Sequence, residues 1–441
     1  MAILGIDFGR TTCRMAVYAE GSPQLLRDER GNEVVEACFG FQKKTKEPAV
    51  GEKVKGSFQS DPEMAVEQIR RRMGEDVQIP FGSEGVESQT LTSEEIAAHI
   101  FRHLKRSAEA QLKEPVDRCV ITVPAKFPDP ARRATKKAGE IAGMTVERII
   151  NEPTAAALAH NHDATLERGY AMVYNLGQAT FDVSIVKCMD DVFDIQASSG
   201  DSHFGGQDFD EALLSHAAEK FEKEHGLSVG PESENYYRLL CECENAKKEL
   251  SFNCRTTVNI PFFMVKDGDP VDLSVEVSRS TFEELIGPLV AETTGAVERV
   301  LTDAGISRPD LDHVILTGGN TRIPYVQSFV RHVVGQRPLR QVEPEKAIAL
   351  GAVVQAGIID GQIEESREEL GGAWKDSDYF EDVEALLQAA EDELESGGLV
   401  PEKKEELQSL IDDLKRALTA NEEKQVRRLE EQITDVLFDL V

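Results

Sequence analysis

The chain opens on a continuous apolar run, Ala2 to Ile6, which reads as a buried strand. Asp7 to Thr12 breaks the run with polar and small residues, and Arg14 to Tyr18 resumes it, giving a strand, a tight turn and a returning strand. The same pattern recurs far along the chain, where Ala171 to Tyr174 leads into Asn175 to Thr180 and Phe181 to Val186 returns. Superposed, Asp7 falls on Asn175, Gly9 on Gly177 and Thr12 on Thr180. Each hairpin is followed by a further buried strand, Cys119 to Pro124 and then Val314 to Gly319. Helical periods come next, from about Ala131 to Ala142 and from about Ile323 to Val334. Such an internal repeat predicts an α/β fold of two similar lobes, roughly 1–170 and 171–360, with their polar loops facing across a cleft.

Beyond Gly361 the pattern changes. Residues 361–380 are acidic and include Gly371 and Gly372, which predicts a linker. Three apolar stripes of helical spacing follow over 381–441. The first is Val383, Leu386, Leu387, Ala390 and Leu394; the second is Leu407, Leu410, Ile411, Leu414 and Leu418. The third is Val426, Leu429, Ile433, Val436, Leu437 and Leu440. Gly397 and Gly398 before Pro401 punctuate the first break, and Asn421 is a suitable N-cap after the second. Short connections predict a small antiparallel three-helix bundle. No strand-rich segment lies between the lobes and this bundle.

Composition narrows the partners. The 441 residues carry a formal charge of −31, and acidic side chains outnumber basic ones strongly in the tail. A surface of that sign repels phosphate backbones and anionic lipid, which argues against nucleic acid and membrane partners. No apolar run has the length of a membrane span, and Met1 to Gly9 lacks the basic start of a signal peptide. The seven cysteines are scattered, and Cys241 and Cys243 point different ways on a helix. They read as reduced thiols of a cytoplasmic protein.

Phosphate binding requires backbone N–H groups turned inward, and small residues allow close approach. Gly9 and Gly177 at the tips of the paired hairpins suit this, and Gly205 and Gly206 offer a third contact. Asp7 and Asp182 are candidates to hold Mg²⁺ through waters; taken singly, each is equally an aspartate that shapes a turn.

Several stretches resemble signature runs of the DnaK-type heat-shock chaperones. They are Arg148 to Leu158, Ile121 to Pro124, Thr180 to Ser184, Gly205 to Asp210 and Val314 to Pro324, and the similarity extends from Met1 to about Gly361. The resemblance implies a duplicated, actin-like ATPase fold with ATP or ADP and Mg²⁺ at the base of the cleft. It implies catalytic or metal-organising roles for Glu152, Asp7, Asp182 and Arg70. Phosphate contacts are implied from Gly9, Arg10, Thr11 and Thr12 and from Gly177, Gln178, Ala179 and Thr180. Adenosine contacts are implied from Glu244, Lys247, Lys248 and Ser251, faced by Gly318, Gly319, Asn320, Arg322 and Glu345. Pro124 and Arg132 match positions that couple nucleotide state to the rest of the molecule. Without the resemblance, Lys247 and Lys248 would read as a solvated helix face and Pro124 as a strand terminator.

Departures from the family pattern bear on activity. Arg10 stands for a threonine beside the terminal phosphate, where it either tightens phosphate binding or fills the phosphate site. Asn175 stands for an aspartate, leaving the metal less well positioned, and Gly177 alone remains of three glycines in the second loop. Arg70 stands for the catalytic lysine, keeping the charge on a broader planar head. Phosphoryl transfer depends on positioning and electrostatics, so these losses fall on rate more than on binding. The family's apolar linker and peptide-gripping β-sandwich have no counterpart, and the tail helices resemble the end of the family's lid. Three functions stay open: a slow chaperone-type ATPase, a nucleotide-gated module contacting a partner protein through the lobes or tail, and a small-molecule kinase on the same fold.

Overall fold

The computed structural model describes residues 2–42, 47–54, 64–81, 89–162, 166, 168–189, 192–231, 233–363, 401–420 and scattered positions between 383 and 436. The chain forms two compact units, Met1–Glu365 and Ser366–Val441.

The larger unit is built on two sheets of matching order. In the first, β1 (Ile3–Phe8) pairs antiparallel with β2 (Thr12–Ala19), and β2 with β3 (Ser22–Leu25). On its other side β1 lies parallel to β4 (Arg118–Val123), which lies parallel to β5 (Thr145–Asn151). In the second sheet β6 (Gly169–Leu176) pairs antiparallel with β7 (Phe181–Met189), and β7 with β8 (Val192–Asp201). There β6 lies parallel to β9 (Leu311–Thr317). The order β9-β6-β7-β8 therefore repeats β4-β1-β2-β3 in sequence and in strand sense. All six residues of β1 are buried, as expected of a strand covered on both faces. The duplicated α/β architecture expected from the paired hairpins is the one observed.

Helices α1 (Ser93–Leu112) and α2 (Asp129–Ile141) pack in the first lobe. In the second, α4 (Gly206–His225) and α5 (Glu234–Leu250) share a core with the long hairpin of Arg255–Lys266 and Asp269–Ser278. Between these pairs in sequence, α3 (Glu152–Asn161) follows β5 directly; α6 (Pro324–Val334) and α7 (Ala347–Ile359) come after β9.

Two of these helices cross between the lobes. Ala156, Ala157 and Ala159 of α3 are buried against Ala171, Val173, Val186 and Ile315 of the second sheet. Ala352, Val353 and Ala356 of α7 are buried with Ile3, Ala16 and Val120 of the first sheet. Thus each sheet is covered by a helix from the other half of the sequence. α7 is apolar on all sides, which is how a helix enclosed by protein reads. Where the two helices meet, a Cβ on Gly351 would lie 1.6 Å from the Ala155 carbonyl oxygen.

In the smaller unit, Leu407, Ile411, Leu414 and Ala417 of α8 (Pro401–Ala420) are buried together with Val383, Ala390, Leu394, Val426, Leu429, Ile433 and Val436. The residues expected to form the acidic linker from Glu364 onward, the glycine break at Gly397 and Gly398, the Asn421 cap, and Leu437 and Leu440 lie outside the described residues. Among the described residues no helix is long and apolar enough to cross a membrane.

Gly351→Ala should force α3 and α7 apart against backbone that cannot yield. We expect a loss of about 3 kcal/mol or more, read as a lowered urea midpoint. A midpoint unchanged from the parent would show that the crossing can open without cost.

Candidate functional site

A cleft of about 1030 Å³ opens between the two hairpin loops. The first lobe lines it with Asp7, Gly9, Arg10, Thr11, Thr12, Arg70 and Glu152. The second contributes Asn175, Gly177, Gln178, Ala179 and Thr180, then Glu244, Lys247, Lys248 and Ser251 from α5 and its cap. Gly318, Gly319, Asn320, Arg322 and Glu345 complete the wall. Most of the residues singled out in the sequence therefore meet in one place.

Glu152 is the first residue of α3, where the positive end of the helix dipole favours a carboxylate, and it is buried. Both of its oxygens are engaged. Arg70 Nη1 donates to Oε1, and Asn175 Nδ2 donates to Oε2 at 3.0 Å. Arg70 Nη1 also donates to the Phe8 carbonyl at 2.9 Å, which ties the cation to the end of β1. A buried acid held in this way by a guanidinium from one lobe and an amide from the other is well satisfied.

The two loops are themselves bridged. Arg10, buried at the tip of the first loop, donates from Nε to Gln68 Oε1 at 2.8 Å. Its Nη1 crosses to the Ala179 carbonyl at 2.7 Å and to the Ser202 carbonyl. Beside it, Arg71 contacts His203. Burial and the neighbouring Arg71 and Arg70 push Arg10 down only to about 10, so it stays cationic at neutral pH. The first loop needs its glycine: a Cβ on Gly9 would lie 2.1 Å from the Thr12 carbonyl oxygen.

Other expected residues take supporting places. The Gly205 amide donates to Asp208 Oδ2 at 2.7 Å and the Gly206 amide to the Gly177 carbonyl at 3.0 Å. The Gly205 amide thus caps α4, and the Gly206 amide backs the second loop. Lys247 is likewise turned into the protein, donating at 2.9 Å to Gln178 Oε1, the Gly206 carbonyl and Asp210 Oδ2. Lys247 is therefore not part of a solvated helix face, since an ammonium this enclosed needs an acid and carbonyls around it. Lys248 pairs with Glu244 at 2.8 Å on the face of α5. Arg322 is held by Glu345 at 2.8 and 2.7 Å and by Glu343, with its guanidinium carbon 5.9 Å from the centre of the exposed Phe252 ring. Arg132 donates to the carbonyls of Pro124, Ala125 and Phe127 and, at 2.8 Å, to Asn151 Oδ1. It fastens the turn after β4 to the residue preceding Glu152.

Asp7 and Asp182 face Glu152 from opposite lobes. Asp7 is pushed up to about 6, mainly by burial with a further push from Glu152, while Arg14 and Arg70 pull it down. Asp182 sits behind Asn175 at a small void shared with Glu152, Ala125 and Thr317, and burial followed by Glu152 pushes it up to about 7. Among the described residues no three acidic, histidine or cysteine side chains converge closely enough to ligate a metal together. The donor set fits a cation held through waters, because two carboxylates raised by burial and by a third acid would be relieved by positive charge.

The partners Gln68 and Ser202 had no signal in the sequence, and Asp210 lay in a signature run without a role of its own. Gln68 reaches Arg10 from a left-handed backbone conformation, φ 56°, before a short 3-10 turn, and only folding brings it there.

A family model described as Hsp70 protein matches residues 3–419. The chain is 41% identical over 364 residues to the chaperone protein DnaK of each of two strains of Halobacterium salinarum. Each match covers 82% of this chain and 57% of the relative, so the chain spans little more than half the length of these curated relatives.

Asp7 and Asp182 bind a proton more readily folded than unfolded, so they withdraw stability as pH rises from about 4 through about 7. In EDTA, Asp182→Asn should be more stable than the parent at pH 8, by about 1.4 kcal/mol for every tenfold by which folding tightens proton binding at Asp182. The gain should shrink steadily toward pH 5 in urea titrations. A gain independent of pH would show that the carboxylate is not raised.

Proposed function

The chain belongs to the Hsp70 family, and from that premise we propose that it binds ATP and ADP between its lobes and hydrolyses ATP slowly. The observation that carries this reading is the engagement of both Glu152 oxygens, by Arg70 and by Asn175. Hydrolysis of a terminal phosphate needs a water oriented and relieved of its proton. A carboxylate whose charge is already offset by a cation and an amide is a weaker base toward that water. Binding depends on different groups: the loop at Gly9 to Thr12, the loop at Gly177 to Thr180, the helix from Glu244 to Ser251, and the wall formed by Gly318, Gly319, Asn320, Arg322 and Glu345.

Mg²⁺, when bound, neutralises charge on the phosphate oxygens. Asp7 and Asp182 would hold it through waters, while Asn175, bonded to Glu152, adds no charge to that shell. Pro124 and Arg132 would pass a change at the cleft outward, because Arg132 joins the Pro124 turn to Asn151 beside Glu152.

The partner in this reading is a folded protein met by the lobes or by the tail helices, in the cytoplasm. The cysteines are free thiols, which suits a reducing compartment. Gly361 to Phe380 is too short and too acidic to build a peptide-gripping sandwich, and a helical cluster satisfies its own backbone and offers no sheet edge. Fluorescent extended apolar peptides should therefore show no micromolar binding by anisotropy with either nucleotide. Binding that ATP weakens and ADP restores would overturn this part of the proposal.

Calorimetric titration and single-turnover hydrolysis test the main reading. We expect nucleotide binding, a slow single-turnover rate, and a rate at least about tenfold higher in the combined variant Arg10→Thr, Arg70→Lys, Asn175→Asp. The three are changed together because residues of one catalytic unit act non-additively. A brisk parent rate, or a variant that binds and turns over no faster, would refute the explanation.

A further inference from the structure

We infer that Arg10 makes the cleft select a nucleoside diphosphate over the corresponding triphosphate. The inference rests on the reading that the cleft holds a nucleotide, and it assigns the preference to one side chain.

Arg10 follows Gly9 at the tip of the first loop, and its guanidinium reaches the second loop at the Ala179 carbonyl and, beyond it, the Ser202 carbonyl. Its Nε is anchored at 2.8 Å to Gln68 on the first lobe's side. The planar head therefore lies across the interval between the two loops. On the nucleotide reading, a phosphate chain that runs from the α5 and Arg322 side toward the acids at the base, all of them on the wall of one cleft, ends in that interval.

A third phosphate would need the same volume. To admit it, the guanidinium would have to release three acceptors, one of them a second-lobe carbonyl at 2.7 Å. Release would also leave the Ala179 and Ser202 carbonyl oxygens turned toward the incoming anion, and oxygen facing oxygen is repulsive. The arginine thus bridges the loops itself, as a donor to acceptors that a phosphate could not satisfy.

The shorter chain meets no such conflict. Nη2 of Arg10 makes no hydrogen bond among the described residues, and Arg10 lines the cleft. Its two N–H groups are available to cap the end of a two-phosphate chain with a charge-assisted contact. An arginine serving instead as a sensor that tightens on the triphosphate would have to keep its donors free for the anion, and here Nε and Nη1 are committed to protein.

The test is calorimetric titration of the full chain with ADP and ATP in Mg²⁺, for the parent and for Arg10→Thr and Gln68→Ala. The parent should bind ADP at least tenfold more tightly than ATP, equivalent to about 1.4 kcal/mol. Arg10→Thr should bring the two affinities within about threefold, chiefly by strengthening ATP binding. Gln68→Ala, which removes only the Nε anchor, should shift the ratio the same way. Equal or tighter binding of ATP by the parent overturns the inference, as does a preference unchanged in Arg10→Thr. Should Arg10→Thr fail to fold, the parent ratio and Gln68→Ala decide the matter. Binding of neither nucleotide by any of the three proteins would sink the nucleotide reading itself, and the inference with it.

Discussion

The crossing of α3 and α7 at Ala155 and Gly351 is the constraint on which the site depends, because it fixes where Glu152 stands. α3 leaves the first sheet at Asn151 and packs its alanines on the second, while α7 returns to cover the first. Small residues at the contact let the two backbones come close and pack tightly. Glu152, at the N-terminal end of α3, therefore lies at the pivot and within reach of both lobes. Its two partners come one from each side, Arg70 from the first lobe and Asn175 from the second.

Around that pivot the charges are nearly closed on themselves. Asp7, Glu152 and Asp182 are three buried or half-buried acids, and Arg70 and Arg14 are the cations that offset them. The register of the two hairpins shows how this arises. Asp7 pairs across its hairpin with Arg14, whereas Asn175 pairs with Asp182, so the repeat places a carboxylate on opposite strands in the two lobes. Substituting an amide at 175 removes one acid from a crowded site and gives Glu152 a donor in exchange. Glu152 itself is satisfied at rest. A site built to accelerate phosphoryl transfer instead keeps groups poised for charge that develops only in the transition state.

Two further cations stiffen the paired hairpin loops from within. Arg10 ties the first loop to the second, and Lys247 fixes Gln178, Gly206 and Asp210 beneath it. Both loops are consequently ordered by the protein's own side chains. A cleft preorganised in this way loses less freedom when a ligand enters.

The repeat is legible in the chain without any coordinates. Polar loops between apolar strands, set at matching positions in two halves, are local patterns with a period, and the paired hairpins and following strands they implied are present in both sheets. The same patterns bring Gly9, Glu152 and Gly177 to one site, since a motif carries its own spacing. The exchange of α3 and α7 was not legible, because an apolar helix states that it is buried and not which sheet buries it. Nor was the fate of Arg10 and Lys247. Whether a cation faces a ligand or the protein depends on acceptors such as Ser202 and Asp210, which lie far off in sequence and have no periodicity to announce them. Those acceptors come within hydrogen-bond distance when the chain folds, and there the cost of burying an unpaired charge decides which way the side chain turns.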